Sequence, residues 1–390
     1  MKNFLEKFGV ELDESKAGLF EKAVELEKQR GNEIFEFEKL DIYTYMKEDL
    51  AKIRDFLAKN KDNAIYSYLL YLALEENDKE VIGALSHPKA DMTDEQNDTL
   101  PIFGLLYCVP KMIGELKKKG LTDEIIHDTC NMFENQMQDF IDLNGHYGIS
   151  DYVAWMKRFL DCKIIRIGRF NFEYGKAFSN RYVFYNGERL EVFSENITYH
   201  SSGKMLGSVG CLDENGSFTP DVKETDDEFI GCPLHNGFCE KTPVALKKSE
   251  WKKIISPGDP VIHLHIPSGG RLDPVEGEKD ILRAYSIFKK SYGQVNGLMA
   301  ESWIMSEELV ELIGKPSGLT WFARLFRTFP FKCRGNDVFE YLYLLPPSTP
   351  LETLPEKSSL QKKVKDYLIK GNHIYETMGV FIVEKERLVK

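Results

Sequence analysis

Residues 261–270 read VIHLHIPSGG, an apolar run with histidines two residues apart, broken by Pro267, Gly269 and Gly270. Such a run, closed by proline and glycine, predicts a strand that ends in a turn. A helical pattern follows from Pro274 to Tyr292, and a second apolar segment, GLMAESWI, covers 297–304. Strand, glycine-containing loop, helix and strand in that order form the βαβ unit of a parallel sheet. Open α/β sheets hold their chemistry outside the carboxyl ends of such strands. His265, near the end of the first strand, and Ser302, in the second, are thereby marked.

Outward from this unit the carboxyl-terminal part continues in β-rich pieces. KIIRIGRFNFEYG at 163–175 has strand character, and RYVFYNGERLEVF at 181–193 is a hairpin signature around Asn186-Gly187. Residues 200–228, rich in Gly, Ser, Asp and Glu, predict a mobile insertion. Short helices are expected near 306–327, β-rich segments at 328–333 and 337–345, a helix at 358–370 and a last strand at 374–383. Before Cys162 the pattern is helical, with segments at Ser15–Gln29, 48–58 and 62–76. Another helix starts near Asp94 until Pro101 interrupts it, and one runs from Thr122 through Asp139. The expected architecture is therefore an all-helical domain over 1–160 and an α+β or α/β domain over 161–390, a mixed sheet flanked by helices.

A net charge of −11 argues against a sequence-independent nucleic-acid surface. The longest apolar run, around Leu100 to Pro110, is short for a bilayer and contains Pro and Gly. The amino terminus shows no secretory pattern, and seven scattered cysteines suit reduced thiols in the cytoplasm. Expected partners are thus small molecules, with neither nucleic acid nor membrane.

His263 and His265 share one strand face. His263 reads as a hydrogen-bonded core residue, and His265, closer to the loop, as a general base. Ser302 is expected across from His265 if the two segments pair, hydrogen-bonding a carbonyl or packing in the sheet. Ser268, Gly269, Gly270 and Arg271 have the composition of a phosphate cradle before a helix. Asp273, Pro274 and Glu276 also read as an N-cap, a first-turn proline and a capping-box acid, which compete for the same helix end. Cys211, Cys232, His235 and Cys239 lack the paired spacing of a zinc site, and no metal is expected. Arg166, Arg169, Arg324 and Arg327 are candidate anion ligands. Arg324 and Arg327 would share a helical face, and Arg169 would pair with Glu173.

RIGRFNFEYG at 166–175, VIHLHIPSGG, ESWIMS at 301–306 and the Leu354-Pro355 link occur in the order seen in one family. The chain resembles a bacterial two-part acyltransferase-like family, with a helical N-acyltransferase amino-terminal domain and a GNAT-like carboxyl-terminal domain. The resemblance implies transfer of an acyl group from acyl-CoA or acetyl-CoA to an amine. CoA would then lie near Ser268–Arg271, and His265 and Ser302 would act on the amine and the thioester. The alternative is a non-catalytic ligand-binding or interaction protein that keeps the fold.

Overall fold

The computed structural model describes residues 1–40 and 47–390. The chain divides into two compact units, Met1–Ile167 and Gly168–Lys390.

The first unit is built of helices, with one short strand, Ile164–Ile167, at its end. Ala17–Arg30 stops at Gly31, and Lys61–Glu76 starts on Asn60, whose side chain accepts from the Asp62 amide. Asp94–Lys118 starts on a capping box formed by Thr93 and Gln96. This helix does not stop at Pro101; it runs through both Pro101 and Pro110. Each proline deletes a backbone donor; Pro101 is buried and Pro110 is exposed, and burial of the turns between them offsets the loss. Leu100, Ile102, Phe103, Leu105 and Val109 are all fully buried. The helix is long and apolar enough to cross a membrane, yet 67% of its most apolar window is buried inside the protein. Gly104 allows its close approach to Lys61–Glu76, since a Cβ there would stand 2.9 Å from the Ser67 carbonyl oxygen. The helix expected from Thr122 is two helices, Asp123–Cys130 and Met132–Asn144.

The second unit holds a mixed sheet. Its strands are β1 (Phe170–Lys176), β2 (Pro260–His265), β3 (Leu298–Ser302), β4 (Arg327–Pro330), β5 (Thr377–Glu384) and β6 (Arg387–Val389). The order is β1-β2-β3-β5-β4, with β6 beside β5. β2 and β3 are parallel and joined through the helix Pro274–Tyr292, so the βαβ unit expected from 261–304 forms. The other pairings are antiparallel.

Strand alternation divides the side chains between two faces. On one, Phe170 packs on Phe322 with ring centroids 5.8 Å apart, and Gly277 of the Pro274–Tyr292 helix lies close to Phe170 and Trp321. The other face contributes Val261, Met299, Phe329, Met378 and Val380 to a core shared with Val183, Val192 and Tyr199. The expected hairpin supplies Val183 and Val192 through Arg181–Tyr185 and Leu190–Ser194, which turn at Asn186-Gly187.

Residues 200–211 are tied to their surroundings: the Val209 amide donates to the Cys333 carbonyl at 2.9 Å, Lys204 pairs with Glu308 at 2.8 Å and Cys211 is buried, whereas most of 212–228 is exposed. One expectation fails for a physical reason. Residues 338–343 form a π-helical turn instead of a strand, burying Val338 and Tyr343 in one cluster. A short apolar run fits either conformation.

Candidate active site

The β2–β3 ladder pairs Ile262 with Leu298 and His263 with Met299, and ends there. Both strands continue, β2 to His265 and β3 to Ser302. Beyond the last pair, among the described residues, each strand ladders with its outer neighbour alone, His265 opposite Asn171 and Glu301 opposite Met378. The inner edges of the two strand ends thus present backbone amides and carbonyls without ladder partners. An extended ligand bearing amides matches such a gap, because it can accept and donate as an added strand would.

His265 stands beside this gap. Its Nε2 lies 3.2 Å from Oε2 of Glu173, with the two side chains 30% and 12% exposed. A carboxylate so placed orients an imidazole. His263, on the same face, places Nε2 2.9 Å from the Lys176 carbonyl oxygen, and its ring meets the edge of Phe178. It is the hydrogen-bonded histidine that the sequence suggested.

Several acidic and basic groups that sequence reasoning passed over gather on the same face. Glu301, two residues beyond the last ladder pair, shares the face of Met299. Although Glu301 is exposed as a residue, partial burial of its carboxyl and then the neighbouring Glu376 raise its pKa, while Arg181 opposes them. Asp337 is pushed up to about 7 by burial first, then by Glu376, Glu340 and Glu301. Arg181 is 6% exposed, donates to the Ser179 and Pro330 carbonyls at 3.1 and 3.2 Å, and lies over the Phe329 ring. Burial lowers its pKa. The one sequence signal for Glu301 was its place in ESWIMS, on the strand alternation that also carries Met299.

Ser302 does not face His265. It alternates to the other side of β3 from Glu301, and its Oγ accepts from the Ile304 amide at 3.2 Å, capping a short turn. The Ser302–His265 pairing expected from sequence therefore does not form, because a one-residue offset reverses the face.

The loop after β2 combines both readings made of it. Gly269 and Gly270 have φ of 67° and 70°, conformations that favour glycine. Nη2 of Arg169 donates to the Pro267 carbonyl at 2.7 Å and also to the Gly269 carbonyl, tying the loop to the residue just before β1. Asp273 caps the helix, accepting from the Val275 and Glu276 amides at 2.9 and 3.1 Å. Those two donors are already engaged. Beside the cap lies a pocket of about 440 Å³ whose walls include Arg271, Ser317, Trp321 and Arg324. Two cations and an indole suit a phosphorylated nucleotide better than the capped helix end does.

Arg324 and Arg327 do not share a helical face. Arg324 follows the helix Gly318–Ala323, and Arg327 opens β4 and pairs with Glu191. Arg166 lies in the first unit, where its Nη1 contacts the Met132 sulfur at 3.6 Å. The cysteines do not assemble. Cys211 approaches Ser202 and Tyr375, Cys232 contacts the Lys241 carbonyl, and His235 pairs with Glu240. Among the described residues no group of three or more His, Cys, Asp or Glu is disposed to hold a metal.

The GNAT-like C-terminal domain family matches residues 164–381, more than half of the chain. The chain belongs to that family. Ahead of this GNAT-like domain, residues 38–162 match the N-acyltransferase N-terminal domain. Solved structures resemble the fold over most of the chain. An acyltransferase mutant in complex with octanoyl-CoA has a TM-score of 0.61 at 16% identity, covering 97% of this chain and 98% of that one. An acyltransferase in complex with decanoyl-CoA and teicoplanin has a TM-score of 0.57 at 16% identity, covering 86% and 83%. At such identity the likeness establishes the fold. No curated protein matches the chain.

Proposed function

We propose that this protein is an acyl-CoA-dependent N-acyltransferase. The observation that carries the reading is the β2–β3 ladder, which ends at His263–Met299 with His265 and Glu173 at its open end. The pantetheine arm of CoA contains two amides, and the backbone groups of the gap suit them. Arg271 and Arg324 would meet the phosphates from the neighbouring pocket. Acyltransferases of this fold are seen with decanoyl-CoA and octanoyl-CoA, so a medium-chain thioester is the donor to test first.

In the reaction the amine nitrogen forms a bond to the thioester carbon as the carbon–sulfur bond breaks. His265 takes the proton released from nitrogen, and Glu173 holds its ring in place. The proton then passes to the departing thiolate. Ser302, committed to its cap, takes no part as a nucleophile. The buried cysteines fit a reducing compartment, and we place the protein in the cytoplasm.

The competing reading, a non-catalytic binding protein, is favoured by one feature: Asp273 already engages the amides of the helix end after the loop. Thermal unfolding with octanoyl-CoA, followed by free-thiol release in the presence of small amines, separates the two. A saturable rise in midpoint together with amine-dependent thiol release supports the transferase. A rise without release selects the binding protein, and no rise with any acyl-CoA removes both CoA readings.

A further inference from the structure

A second groove in the carboxyl-terminal unit takes no part in the chemistry above. Its volume is about 460 Å³, and its walls include Arg189, Glu191, Glu240, Leu246, Trp251 and Arg327. Pockets for small organic molecules span about 300–1,000 Å³. The Asn186-Gly187 turn positions Arg189, whose amide donates to Asn186 Oδ1 at 2.9 Å. Leu246 and Trp251 belong to a buried cluster with Phe184, Phe193 and Phe229, which gives the groove an apolar wall. Arg327 opens β4, and the ladder runs from it through Val380 and Met299 to His263. Three strand spacings, about 14 Å, thus separate Arg327 from β2.

The acids of this groove are already answered. Arg327 Nη2 donates to Glu191, and His235 Nε2 contacts Glu240. The cations are not answered in full. Arg189 holds its guanidinium 5.8 Å from the Trp251 ring centroid and has no ion-pair partner among the described residues. A guanidinium carries five N–H donors. Arg327 gives one nitrogen to Glu191 and has no other hydrogen-bond partner among the described residues, its Nε being buried without one. Donors to spare on two arginines beside an indole suit an anion joined to an apolar body. The planar fork of arginine matches a carboxylate in particular. We propose that this groove binds a small organic carboxylate, its charge held by Arg189 and Arg327 and its apolar body laid against Trp251 and Leu246. The inference stands apart from the transferase reading, since no CoA group enters it.

The test titrates wild type, Arg189→Gln and Arg271→Gln with 3-phenylpropanoate and with its neutral analogue 3-phenylpropanamide, read by calorimetry. The two molecules share ring and length and differ at the charged end. Wild type should bind the carboxylate about 10- to 100-fold more tightly than the amide, the range expected for hydrogen bonds to a charged group. Arg189→Gln should abolish that preference, and because Arg189 is exposed its replacement leaves the core undisturbed. The same variant should keep the octanoyl-CoA thermal shift. Arg271→Gln, in the pocket assigned to CoA, should keep the preference for the carboxylate. Equal affinities for carboxylate and amide in wild type overturn the proposal, Arg189 then serving only to cover the indole. The absence of saturable binding at millimolar carboxylate overturns it as well. A preference kept in Arg189→Gln, or lost in Arg271→Gln, places the anion elsewhere and overturns it too. None of these outcomes bears on the transferase reading, which is decided by amine-dependent thiol release.

Discussion

The helix Asp94–Lys118 and the β2–β3 pair both forgo backbone hydrogen bonds, and they do so in opposite ways. The helix lacks the donors: Pro101 and Pro110 have no N–H to offer, and most of the stretch between them is sealed in a filled core. The strands keep their donors and acceptors but stop using them between each other beyond His263 and Met299. A proline removes one donor and leaves a single carbonyl one turn back to be met, whereas the open strand ends leave both donors and acceptors in need of partners. The contrast separates a structural irregularity from a binding one, and it points to the sheet rather than the helix as the place of function.

The comparison can be broken most sharply at the open end of the ladder. His265→Ala should lower amine-dependent thiol release by about 1,000-fold, within the usual range for losing a general base. The far-ultraviolet circular dichroism and the octanoyl-CoA thermal shift should persist; turnover within threefold of wild type would remove His265 as the base. The sealed core offers the counterpart. Phe103 is fully buried and meets Phe35 edge-on at 4.8 Å, so Phe103→Ala should destabilise the protein by about 3–5 kcal/mol in chemical denaturation. A loss below about 1 kcal/mol would mean that this core is not as closely packed as its burial indicates.

Asp337 gives a smaller effect with a definite sign. Its carboxyl titrates at about 7 in the folded chain and at 3.8 when unperturbed. Between those values the folded state holds a proton that the unfolded state has released, so this residue's contribution to stability falls as pH rises from about 4 to about 7. The shift corresponds to about 4 kcal/mol, which we halve to about 2 kcal/mol for the partial solvent access of the residue. Asp337→Asn should therefore be more stable than wild type by about 2 kcal/mol at pH 8 and nearly equal to it at pH 4. Urea midpoints at the two pH values check this, and a difference that grows toward acid would contradict the assignment.

Ser302→Ala is the mildest change. Removing its cap should cost about 1 kcal/mol and leave turnover within a factor of three. A loss as large as that of His265→Ala would restore serine to the chemistry.

Much of this architecture was legible because it is written locally. Asn186-Gly187 announces its hairpin, and Asp273, Pro274 and Glu276 announce the start of a helix. The segment 261–304 announces two strands and their connection through adjacent residues. The site was legible only in part. His265 could be found, since its strand and loop are continuous in sequence. Glu173 could not, because its nearness to His265 is a matter of register between strands that are distant along the chain. The face of Ser302 failed for a related reason: alternation assigns it only once the pairing of Met299 is known. Pro101 misled because its local cost was weighed without the apolar turns that surround it in the fold.

The clasp that Arg169 makes on the loop after β2 has a consequence for the loop's other side. A peptide unit is planar, with its N–H directed opposite to its carbonyl. The Pro267 and Gly269 carbonyls both turn toward the guanidinium, so the amides of Ser268 and Gly270 in those same planes are directed away from it. A single cation thereby orients two peptide dipoles alike, their positive ends outward, and sets a small polarity on a stretch of chain that carries no charge from Ile266 through Gly270.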